Sequence, residues 1–193
     1  MPEAQPLNQA PFSEADVLCS IFESCFAETM RTRLLGGGEE PLYQPAESSD
    51  DYHRIIFRSD YAASALHEVS HWCIAGERRR QQLDYGYWYE PDGRNTEQQW
   101  LFERVEAKPQ ALEWLFTKAC GKGFQVSIDN LDGEPVDTFP FRLAVWQALN
   151  KNGQPTNFLF GERAALFISA LKEAFDVPPW GDLTDFCLSQ LER

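Results

Sequence analysis

A chain of 193 residues with 43% hydrophobic and 13% aromatic content can bury a core, which excludes wholesale disorder and predicts a single domain over 1–193. Its 17 basic and 30 acidic residues give a net charge of −13, which disfavours nonspecific binding to nucleic acid or anionic lipid and suits a cationic substrate or a basic patch on a partner. With no basic cluster leading an apolar run and no stretch of about 18 apolar residues, the sequence predicts a cytoplasmic chain without a membrane partner.

Residues 1–12 read as a flexible, proline-containing leader. Ser13 caps a helix whose apolar residues Val17, Leu18, Ile21, Phe22, Phe26 and Met30 recur at helical spacing, with Gly36-Gly37-Gly38 as its stop. Glu39 to Asp51 is turn-rich and polar, and His53 to Phe57 is a short β-type run. From Tyr61 to about Arg80, the residues Ala62, Ala65, Leu66, Val69, Trp72 and Cys73 trace a second helical stripe.

An aromatic run, Asp84-Tyr85-Gly86-Tyr87-Trp88-Tyr89, follows and ends in the turn Pro91-Asp92-Gly93. A long helix then starts at Thr96, capped there with Gln99 three residues on. It runs through Trp100, Phe102, Val105, Leu112, Leu115 and Phe116, and Pro109 should kink or split it. Phe124 to Ile128 is a strand candidate, and helices are expected over about Phe139–Asn150, Gly161–Phe175 and Leu183–Leu191. The sum is an α+β fold, helix-dominated around a small sheet.

The second helix carries His67-Glu68-Val69-Ser70-His71. Four residues turn a helix through about 400°, so both imidazoles project from one side, one turn apart, and can grip one ion. His53 is the third and last histidine of the chain; beside Arg54 in a strand, it suits a hydrogen-bonded structural role better than ligation. Five cysteines without a CxxC pair argue against a disulfide framework and a structural zinc site, and leave a purely structural metal ranked third among the readings.

A third ligand must come from elsewhere. Glu77 follows Gly76 in a charged run resembling a solvated helix end. Glu106 and Glu103 sit one turn apart on the long helix amid Phe102 and Val105, where a core-facing carboxylate needs a partner. Glu106 is the preferred ligand, with Glu103 as alternative or as the hydrogen-bond partner of a ligand histidine; salt bridges to Arg94, Arg104 or Lys108 are the plain alternative for both. His-Glu-x-x-His alone suggests a zinc hydrolase with Glu68 as general base, whereas two histidines and a carboxylate also form the facial triad of non-haem iron oxygenases.

The segments His67-Glu-Val-Ser-His-Trp-Cys-Ile-Ala-Gly76, Asp84-Tyr-Gly-Tyr-Trp-Tyr89, Pro91-Asp-Gly-Arg94 and Val105-Glu-Ala-Lys-Pro-Gln-Ala-Leu112 resemble the bacterial elongation factor P hydroxylase family. The resemblance implies an enzyme that hydroxylates the lysyl-modified lysine of elongation factor P, with a two-histidine, one-carboxylate iron(II) site and dioxygen as co-substrate. It also implies a scaffold similar to an rRNA-maturation endoribonuclease, in which a histidine stands at the position of Glu77. His67 and His71 are then the imidazole ligands, and Glu106 or Glu103 the carboxylate. Glu68 needs no base role and is free to orient a ligand or the substrate ammonium. For a cationic substrate, Tyr85, Tyr87, Trp88 and Tyr89 offer cation–π surfaces and Asp84 or Asp92 a charge partner, with core packing the plainer role for each aromatic. Spacing ties no Arg or Lys to the carboxylate of a keto-acid co-substrate.

Overall fold

The computed structural model describes residues 13–84, 94–128, 137–150, 160–180 and 186–191. The elements are α1 (Glu14–Met30), β1 (Thr32–Gly38), β2 (Leu42–Gln44), β3 (His53–Arg58), α2 (Ala62–Ile74), α3 (Thr96–Ala119), α4 (Phe139–Asn150) and α5 (Glu162–Ala174), with 3-10 turns at Arg79–Gln81 and Leu188–Leu191. Helices dominate a three-stranded sheet of order β1-β3-β2, so the fold is α+β. No helix among the described residues is long and apolar enough to cross a membrane. The leader 1–12 and part of the expected Leu183–Leu191 helix lie outside the described residues.

Ser13 caps α1 in a full capping box: its hydroxyl accepts from Asp16 N, and the Asp16 carboxylate accepts from Ser13 N. The expected stop at Gly36-Gly37-Gly38 is wrong. The helix ends at Met30, where Arg31 adopts a left-handed conformation (φ 45°) and its guanidinium donates to Asp51 O. The glycines instead form the end of β1, where a Cβ on Gly36 would stand 2.8 Å from Ser59 O. Close backbone approach requires Gly36 and Gly38, and a left-handed φ of 94° favours glycine at Gly37; none of the three ends the helix.

β3 is central, parallel to β1 (Leu34 opposite Ile55) and antiparallel to β2 (Tyr43 opposite Ile55). β2 interrupts the stretch expected to be only turns. It has three residues, all half-buried, so it shows no alternation to read. Tyr43 also exchanges both backbone hydrogen bonds with Asp84, at 2.7 and 3.0 Å, which ties the chain after α2 to the sheet edge.

α1 lays Leu18, Phe22 and Phe26 on α2 and α5, the two rings meeting Trp72 and Phe167, with Phe22–Trp72 and Phe26–Trp72 centroids 5.3 and 4.9 Å apart. α2 buries Ala65, Leu66, Val69, Trp72 and Cys73 as its stripe requires, but it ends at Ile74, not near Arg80. α3 is capped by Asn95 with Gln98, one residue earlier than expected, and passes unsplit through the buried Pro109. Its inner face is partly polar, with Gln99, Glu106 and Gln110 buried beside Phe102, whereas Trp100 and Val105 are exposed.

Phe124 to Ile128 forms no strand. Gln110 of α3 and Arg94, just ahead of the Asn95 cap, satisfy its backbone instead: Gln110 exchanges two hydrogen bonds with Ser127 at 2.8 and 2.9 Å, and Arg94 donates to Ile128 O at 2.8 Å. The cysteines are all free; burial pushes the Cys73 and Cys120 thiols up to about 12.

Candidate metal centre

α2 and α3 pack face to face and bring three of the sequence-derived residues together. His67 Nε2 and His71 Nε2 are 3.1 Å apart, Glu106 Oε2 is 3.5 Å from the first and Glu106 Oε1 is 3.4 Å from the second. The two imidazoles and the carboxylate thus form a compact triangle of groups, with one ligand atom from each within 4.8 Å of the others, close enough to share one ion. Glu106 is 1% exposed, and no other group of three or more histidine, cysteine or carboxylate ligands converges in this way among the described residues.

Glu113 is the residue that sequence reasoning missed. Seven residues beyond Glu106 on α3, its Oε2 accepts from His67 Nδ1 at 2.8 Å. With that proton fixed on Nδ1, the Nε2 lone pair of His67 is turned toward the triangle. The available signal was the seven-residue spacing: two helical turns return a side chain to nearly the same face.

Burial acts to lower the His67 pKa, but the carboxylates of Glu113, Glu106 and Glu68 outweigh it and push the ring up to about 10. Burial also raises Glu68; His67 and His71 oppose it, while Glu106 and Glu113 add to it. Carboxylates gathered this densely around two imidazoles favour a cation between them. The donor set and its spacing therefore fit a divalent transition metal.

Glu103 stands away from this group. It accepts from Gln99 Nε2 at 3.2 Å, so the carboxylate hydrogen-bonded to His67 is Glu113 and not Glu103. Glu77 is exposed in the turn after α2 and joins no ligand cluster. His53 is half-buried and accepts from Ala46 N at 3.0 Å through Nδ1, the structural role expected of it. Tyr85, Tyr87, Trp88, Tyr89 and Asp92 lie outside the described residues.

A small cleft, partly open to solvent, reaches His71 and Glu68 between walls that include Tyr43, Ile55 and Trp72. Asp84 lines it, with its carboxylate engaged by Arg79 Nε at 2.5 Å. At the end of α2, Arg163 of α5 donates to Cys73 O and Ala75 O at 2.9 and 2.7 Å, and Arg80 donates to Ala75 O. These guanidinium groups satisfy carbonyls that the last turn of a helix leaves open.

Residues 21–185 match the family described as Elongation factor P hydroxylase. A relative from Haemophilus influenzae, named Elongation factor P lysine hydroxylase, is 51% identical over 130 residues, covering 67% of this chain and 73% of that protein. With a match spanning α2, α3 and the ligand cluster they carry, the chain belongs to the elongation factor P hydroxylase family.

Proposed function

We propose that this protein is a metal-dependent hydroxylase acting on the lysyl-modified lysine of elongation factor P, with His67, His71 and Glu106 holding iron(II). The observation that carries the reading is the triangle of two imidazole nitrogens and one carboxylate on neighbouring helices, in a chain of this family. A bound iron(II) ion would supply the activation of dioxygen needed to put a hydroxyl on an unactivated carbon. The protein's residues do the rest: Glu113 fixes the His67 ring and its tautomer, and the walls of the cleft orient the lysine side chain and shed its water.

The reading implies a cytoplasmic enzyme of one domain whose partner is the modified factor itself, without direct contact to nucleic acid. On a scaffold like that of the rRNA-maturation endoribonucleases, Glu77 would stand where the third histidine does. Its exposure favours Glu106 of α3 as the third ligand here.

The test is incubation of iron-loaded and zinc-loaded protein with lysyl-modified elongation factor P, in air and under argon, with ascorbate or a 2-oxo acid as two-electron reductant. Intact mass should rise by one oxygen only with iron and air. No gain under any condition, with peptide cleavage by the zinc form, overturns the proposal in favour of a hydrolase using Glu68 as base.

A further inference from the structure

The small cleft at His71 has no room to seat a stretch of polypeptide, yet a protein substrate must be held by more than one side chain. A larger groove, about 1080 Å³, runs beside the last two turns of α3 and reaches the metal centre at one end. Glu113, the carboxylate that accepts from His67 Nδ1, lines it. So does Ala63, one turn ahead of His67 on α2.

Away from the centre the groove becomes apolar and basic. Trp114 and Phe124 stack to form its floor, with centroids 6.2 Å apart, and Pro178 and Pro179 stand exposed on its wall. Lys118 follows about 7.5 Å beyond Glu113 along the helix, and Lys122 lies past the helix end. Lys172 covers Trp180 of the same wall at 3.5 Å, so three of the chain's five lysines gather here on a molecule of net charge −13. Lys122 is ion-paired with Glu14, but a pair this exposed is worth little in water and can be exchanged for a carboxylate from outside.

We propose that this groove docks the segment of the protein substrate that flanks its modified lysine, and that this segment is acidic, with apolar side chains for the Trp114–Phe124 floor. The assignment rests on the hydroxylase reading. Its physical basis is the continuity of the groove with the metal centre and the complementarity of a basic wall, in an otherwise acidic chain, to an acidic partner. Contacts made there hold the substrate equally before and during the chemical step, so their loss raises KM and leaves kcat in place.

Gly123→Trp fills the groove without disturbing the fold, because a Cβ at Gly123 meets no atom within 4 Å; Lys118→Glu reverses a charge on the wall. Metal-loaded wild type and both variants are compared for affinity toward lysyl-modified elongation factor P at low and high salt, and for KM and kcat of oxygen insertion. The same kinetics are measured on an end-blocked lysine bearing the same lysyl group, too short to reach the groove. Each variant should weaken binding and raise KM for the factor by about tenfold or more, with kcat within a few-fold, metal content unchanged and the small substrate unaffected. Lys118→Glu should also flatten the salt dependence of binding. Unchanged factor binding by Gly123→Trp, equal losses on the small substrate, or a wild type that binds the factor no better than the small substrate overturns the proposal. So does a wild-type dimer that Gly123→Trp splits while factor affinity stays, since the occupant is then a second copy of the chain. If factor binding depends on the groove but wild type inserts no oxygen in air, the docking role stands and the hydroxylase reading falls.

Discussion

Glu113 accepts the Nδ1 proton of His67 at 2.8 Å from a position two turns beyond Glu106 on α3, so one helix addresses both nitrogens of a single imidazole. Removing such a supporting carboxylate typically costs about 10–100-fold in metal affinity. Glu113→Ala should fold normally and retain the three-ligand cluster while its metal dissociation constant rises by about that factor, measured by competition with a chromophoric chelator. An unchanged affinity would mean that His67 is oriented by packing alone.

Metal uptake should release a proton. In the metal-free protein the His67 pKa, raised to about 10 against an unfolded value of about 6.5, means that its protonated form contributes stability fully below about 6.5 and loses it as pH rises through about 10. At neutral pH the ion must displace that proton, so affinity should climb with pH by up to about tenfold per unit. Calorimetric titration in buffers of different ionisation enthalpy reads the proton count directly, and a buffer-independent heat would refute it.

His53 has the opposite sign. Burial lowers its pKa, Arg80 and Arg31 lower it further, and Asp51 opposes them, so the neutral ring that accepts from Ala46 N is the native form. Its contribution is complete above the unfolded value of about 6.5 and is lost as pH falls through the depressed folded value. Urea midpoints should drop more between pH 7.5 and 5 for wild type than for His53→Asn, whose amide oxygen can accept in place of Nδ1.

Gln110 closes two hydrogen bonds on Ser127, and it is 1% exposed. Gln110→Leu keeps the volume and removes both bonds. It should cost about 1–2 kcal/mol by urea denaturation, the Ser127 end being near enough to water to be partly rehydrated.

The helices were legible because their signals are local. Ser13 and its capping box, the Ala65-Leu66-Val69-Trp72-Cys73 stripe, and the bounds of α4 all follow from spacing and caps. The pair His67 and His71 followed from one helical turn, and the cost of burying a carboxylate singled out both Glu106 and Glu103 without separating them. What escaped depends on distant contacts. Gly36 is dictated by Ser59 across the sheet, and β2 exists only through its pairing with β3. Val105 was expected to face the core beside Phe102 but is exposed, because the true inner face of α3 is partly polar, with Gln99, Glu106 and Gln110 buried there. Glu113 carried a spacing signal, but only the packing of α2 on α3 gives it a partner.

Arg163, from α5, holds the Cys73 and Ala75 carbonyls at the end of the helix that supplies both imidazoles. The centre is thus assembled from segments nearly a hundred residues apart along the chain. During synthesis, the two histidines leave the ribosome long before the guanidinium that secures their helix. A chain cut short before α5 should therefore bind metal poorly even though His67, His71 and Glu106 are all present.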